Sequence, residues 1–147
     1  VAESGAIVDY IVRRHGEGRL APSPDSWLYD QYMQWLHYAE GSAALPLIMK
    51  GFVSHLGNMW RPLKQRVDLE LDTHLSYIDR SLEERDYLVG NTFSAADVQM
   101  SFIGELAALR TDMSRYPNLE AWVGRFQRRP AYQAAIRRGG PYDLGSG

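Results

Sequence analysis

Tyr87-Leu88-Val89-Gly90-Asn91-Thr92-Phe93-Ser94-Ala95-Ala96-Asp97-Val98 is the stretch on which the fold turns. Gly90 and Asn91 are turn formers, and Ser94 is a preferred helix N-cap with an acidic residue three positions on. Ser94 is placed to cap the N–H of Asp97 while the Asp97 carboxylate reaches back to the N–H of Ser94, so two orphan donors are satisfied together. The acidic side chain also opposes the positive end of the helix dipole. Phe93 and Val98 stand where a hydrophobic staple would clamp that cap. The stretch therefore predicts a helix over 94–109 with Val98, Phe102, Ile103 and Leu106 facing inward, and the capping box Ser94/Asp97 organises folding without doing chemistry.

Upstream, Leu63, Val67, Leu71, Leu75, Ile78 and Leu82 advance by three or four, the strongest helical periodicity in the chain. The opposite face carries Lys64, Arg66, Asp68, Glu70, Asp79, Arg80 and Glu83, a solvated surface; Glu70 and His74 read as a surface pair, since a di-metal bundle needs two such motifs plus further carboxylates. Before it, Ser23-Pro24 fits an N-cap followed by proline at the first helical position. Trp27, Leu28, Tyr32, Trp35, Leu36 and Ala39 follow at helical spacing until Gly41-Ser42 and Pro46, which predicts a kinked or two-part helix. Residues 3–15 form a short amphipathic helix ended by Gly16, and the turn formers of 16–24 mark a linker. Downstream, helices are expected from Tyr116-Pro117 and from Pro130 to Arg138, closed by Gly139-Gly140. No stretch alternates with period two long enough for a strand, so the class is all-α, a bundle of about six helices.

Composition narrows the functions. Sixteen Lys and Arg against eighteen Asp and Glu give a net charge of -2, which supplies no field for a phosphate backbone and argues against nucleic acid as partner. The absence of cysteine removes disulfides, thiolate nucleophiles and Cys-based zinc sites, and suits a reducing cytoplasm. No apolar run reaches the ~18 residues of a membrane span. No metal motif is visible. Val1 rather than Met, with a helical pattern beginning three residues later, leads us to expect a truncated N-terminus, and Gly145-Ser146-Gly147 has the composition of a frayed tail.

Two segments resemble signature regions of the cytosolic glutathione transferases, chiefly the bacterial and fungal type. Glu3-Ser4-Gly5-Ala6-Ile7-Val8-Asp9-Tyr10-Ile11 is similar to the acidic-Ser-x-Ala-Ile motif that opens the last helix of that family's glutathione-binding domain. Tyr87 to Val98 is similar to its Leu-x-Gly-x-x-x-Ser/Thr-x-Ala-Asp stretch. Between them, Arg19-Leu20-Ala21-Pro22 and Trp35 to Ser42 resemble the interdomain linker and first helix, and Arg129-Pro130-Ala131-Tyr132 and Gly139-Gly140-Pro141-Tyr142 resemble the closing segments.

The resemblance implies that residues 1–16 are the final helix of an incomplete thioredoxin-like domain, 17–24 the linker, 25–138 the helical C-terminal domain and 139–147 a tail. It implies glutathione as substrate, a small hydrophobic electrophile as its partner and a homodimer as the assembly. Glu3 and Ser4 become the glutathione-binding pair. A helix N-terminus offers unpaired N–H groups to a carboxylate, Ser4 adds a hydroxyl donor, and Glu3 accepts from an ammonium group. Tyr32, Trp35, His37 and Glu40 are the candidate pocket or cross-subunit contacts, although aromatics at such spacings are commonly core. The thiol-activating residue of the family falls outside this sequence, so no catalytic residue is named and the 147 residues alone are expected to be inactive. The competing reading is a non-catalytic interaction module on the same fold, which has no need of a γ-glutamyl clamp.

Overall fold

Asp97 is the residue around which the chain closes. The computed structural model describes residues 1–140 and 144, with the side chain of Met59 set aside; the Pro141-Tyr142 motif and the Gly145-Ser146-Gly147 tail lie outside the described residues. Among the described residues seven α-helices run in order: α1 Ser4–His15, α2 Leu28–Tyr38, α3 Ala44–Ser54, α4 Arg61–Ser81, α5 Ala95–Arg110, α6 Pro117–Gln127 and α7 Pro130–Gly139. A π-helical turn, Ala39–Ala43, joins α2 to α3, and 3-10 turns occupy Asn58–Trp60 and Met113–Arg115. The described residues contain no strand, as the sequence pattern requires.

Helix α5 is the axis of the bundle, packed by α1, α2, α3 and α6. Ala96, Met100, Ile103 and Ala107 are wholly buried on it. A Cβ built on Gly104 would lie 2.7 Å from both Trp122 Cζ3 and Val123 Cγ2, so glycine is what lets α6 cross so closely. Helix α4 buries Val67, Leu71, Leu75 and Ile78 in the expected register.

The capping box is formed: Ser94 N–H donates to Asp97 Oδ2 at 2.8 Å, and Ala96 N–H donates to Ser94 Oγ at 3.2 Å. Asp97 does more than cap. Its Oδ1 accepts from Leu88 N–H at 3.0 Å and from the Trp122 indole N–H at 2.9 Å, tying the preceding loop and α6 to the start of α5. The carboxyl is fully buried without a cation, and burial raises its pKa despite these four-sided donations. The remaining N–H of that first turn, on Ala95, donates to Leu20 O at 2.7 Å, and Leu20 holds a left-handed φ of 66°. Leu20 is thus tied directly into the first turn of α5.

Several sequence expectations shift. Helix α2 begins at Leu28, not at Pro24, because Ser26 rather than Ser23 serves its first turn: Leu28 N–H donates to Ser26 Oγ at 3.2 Å and Tyr29 N–H to Ser26 O at 2.8 Å. Trp27 is left exposed before it. The kink expected near Pro46 is the π turn, from which α3 runs on directly with Ala44 N–H donating to Ala39 O; Pro46 lies just beyond it. Val98, expected inward, is 43% exposed and shares a hollow of about 300 Å³ with Phe93, Leu20 and Phe126. Glu70 pairs with Arg66, whereas His74 turns inward so that its Nδ1 lies 2.6 Å from Tyr38 Oη. None of the described helices is long and apolar enough to cross a membrane.

Candidate functional site

Helix α1 enters the bundle at its N-terminal end, where Gly5 lies against the others: a Cβ there would sit 3.4 Å from Leu36 O and 3.8 Å from Gln99 Nε2. The first intrahelical bond is Ile7 N–H to Glu3 O at 2.9 Å, so the N–H groups of Ser4, Gly5 and Ala6 precede the ladder, and no side chain caps them. Ser4 is the first helical residue and Glu3 the residue before it. The Ser4 side chain is not used as a cap, which sets this terminus apart from that of α5.

Glu3 stands at φ 72° and ψ 127°, a conformation that a residue with a Cβ holds only at a cost of about 1–3 kcal/mol. Both Glu3 and Ser4 are exposed. The strained residue is thus an exposed acidic one, directly beside the open N–H groups.

Ser4 Oγ has two partners from distant parts of the chain. It donates to Glu40 Oε1 in the π turn and accepts from Gln99 Nε2 of α5 at 2.6 Å. The terminus therefore presents three unpaired N–H groups, one hydroxyl and the carboxylates of Glu3 and Glu40. This set can receive a carboxylate and a neighbouring ammonium at once: donors for the first, anionic acceptors for the second.

Of the other sequence candidates, the structure brings Glu40 to this site. Tyr32 and Trp35 belong to the core at 0% and 3% exposure, and Trp35 stacks on Tyr77 at 5.5 Å. His37 is exposed on α2. Burial pushes Tyr32, Tyr38 and Tyr116 up to about 12, so all three phenols keep their protons. No group of three or more His, Asp or Glu among the described residues could hold a metal ion.

Gln99 was invisible in the sequence because a lone glutamine on a core helix has no local signature. A second feature, the apolar strip Leu45, Ile48 and Phe52 at 65%, 42% and 67% exposure, was hidden in a helix whose other faces are also apolar.

Residues 28–130 match the family described as Glutathione S-transferase, C-terminal domain. Glutathione S-transferase 3 of Schizosaccharomyces pombe is 30% identical over 92% of this chain, and the chain spans 62% of that protein's length. Among solved structures, a ternary complex of BphK, a bacterial GST, is 30% identical with a TM-score of 0.81, covering 96% of this chain and 69% of that one. A sphingomonad glutathione S-transferase complexed with glutathione is 27% identical with a TM-score of 0.76, covering 97% and 69%. With the all-helical fold, the family match and the fission-yeast relative in agreement, the chain belongs to the glutathione S-transferase family and contains its C-terminal helical domain.

Proposed function

We propose that this chain is the helical part of a glutathione transferase that joins glutathione to small electrophiles, or performs a related glutathione-dependent reduction. The start of α1 grips the γ-glutamyl end. Its α-carboxylate lies against the N–H groups of Ser4, Gly5 and Ala6, and takes the place of Glu40 as the acceptor of the Ser4 hydroxyl. The α-ammonium is received by Glu3 and Glu40. The observation that carries this reading is Glu3, strained and exposed beside a helix terminus left uncapped.

Leu45, Ile48 and Phe52 form an apolar wall for the electrophile, on α3 just beyond the π turn that holds Glu40. Residues 1–16 close a thioredoxin-like domain, for which Ile7, Tyr10 and Ile11, exposed on α1, provide the apolar contact face. The thiol-activating group comes from outside this chain, so the 147 residues alone are inactive. The working protein is a cytoplasmic homodimer, with His37 on the exposed side of α2 facing the second subunit.

The test is calorimetric titration of glutathione into the full polypeptide that carries this chain. Binding in the micromolar to millimolar range, weakened about tenfold or more by Ser4→Ala, is expected for the loss of a charge-assisted hydrogen bond. A folded protein that takes up no glutathione would leave the interaction-module reading in its place.

A further inference from the structure

We infer that Gln99 is a positioning residue for this site: its buried amide donates to Ser4 Oγ from the α5 side and so commits the Ser4 proton outward, toward a bound carboxylate. The inference rests on the glutathione reading above. Gln99 is only 4% exposed, and its Nε2 lies 2.6 Å from the oxygen of an exposed serine 95 residues away. A buried primary amide needs partners, and the simplest would be other buried groups; this one reaches the rim of a site instead.

The consequence lies in hydroxyl chemistry. A serine oxygen has two acceptor positions and one proton. With an N–H donor on its inner side, the proton has no use there and points away from α5. On the outer side it finds Glu40 in the unliganded protein. An incoming carboxylate therefore meets a hydroxyl already oriented as a donor and has only to take the place of Glu40. Were position 99 an acceptor, the proton would turn inward and present a lone pair to the ligand. Glutamine supplies the needed polarity without burying a charge.

Two ligands separate this role from simple bracing of α1: glutathione, and 4-aminobutyryl-cysteinyl-glycine, which keeps the ammonium but lacks the α-carboxylate. Dissociation constants for both are measured by calorimetry on the full polypeptide. In the wild type, glutathione binds more tightly. Gln99→Met, close in volume and without the donor, should lower the ratio of the analogue's constant to that of glutathione about tenfold while leaving the analogue's affinity unchanged. In a Ser4→Ala background the same substitution should change the ratio no further, because Gln99 acts through Ser4. Gln99→Glu, an acceptor of the same shape when ionised, should lower the ratio at least as far and replaces Gln99→Met if that variant does not fold. An unchanged ratio in both variants, equal weakening toward both ligands, or effects that add to those of Ser4→Ala would overturn the inference. A wild type that does not distinguish the two ligands would instead overturn the γ-glutamyl reading itself.

Discussion

Replacing Asp97 by alanine should cost far more than a lost helix cap. The capping interaction alone is worth about 1–2 kcal/mol. In the folded chain, however, the carboxylate also receives Leu88 N–H and the Trp122 indole N–H at 3.0 and 2.9 Å. Leu88, Ser94 and Trp122 are exposed by 1%, 5% and 0%, so water cannot take over the stranded donors. At about 1–3 kcal/mol for each buried donor, three of them amount to roughly 3–9 kcal/mol. Removing a desolvated carboxylate returns part of that, which leaves a net loss of about 3–5 kcal/mol. For a chain of this size the melting temperature should fall by roughly 10 °C or more. Urea unfolding followed by tryptophan fluorescence reads the effect as a lower midpoint at constant slope. Asp97→Asn, which keeps one acceptor oxygen but turns an NH2 toward the other donors, should fall between wild type and alanine. A loss below 2 kcal/mol for Asp97→Ala would mean that the bonds to Leu88 and Trp122 contribute nothing and the residue is a cap alone.

The same carboxyl gives a pH signature. Its folded pKa is raised above the unfolded value of ~3.9, so its contribution to stability is greatest below that value and declines as pH rises through the folded pKa. The stability gap between wild type and Asp97→Asn should therefore narrow with rising pH across that window, and a gap that widens would contradict the assignment. Glu3→Gly should relieve the left-handed strain and raise stability by about 1 kcal/mol, net of glycine's larger unfolded entropy, while weakening glutathione binding. A lower melting temperature would show that Glu3 is there for the fold. Gly104→Ala should destabilise by about 1–3 kcal/mol, since its Cβ would lie 2.7 Å from Trp122 and Val123; an alanine variant of unchanged midpoint would show that α5 and α6 part easily.

What the sequence disclosed depended on the range of the interaction. The Ser94/Asp97 box and the α4 register are local patterns, readable at spacings of three and four, and both stand in the structure. Ser23-Pro24 has the chemistry of a cap, whereas Ser26, three residues after Ser23, holds the geometry. Helical face alone puts Val98 inward and His74 on the surface. On a helix surrounded by neighbours, as α5 is, a face is not a direction to the core, and His74 turned toward Tyr38 of another helix. Resemblance alone singles out Glu3 and Ser4, and the partners of Ser4 lie 36 and 95 residues away, beyond any spacing rule. Tyr32 and Trp35 show the limit of reading aromatics: their periodicity is that of a buried stripe, and the core is where they are.

The central claim is that the uncapped start of α1 holds the charged end of glutathione, and a crystal structure of the full polypeptide soaked with glutathione addresses it most directly. The account predicts the γ-glutamyl carboxylate within hydrogen-bond distance of the Ser4 hydroxyl and the amides of Ser4 and Gly5, with its ammonium at Glu3 or Glu40. Glutathione bound elsewhere, with Glu3 and Ser4 covered by other side chains, would contradict it.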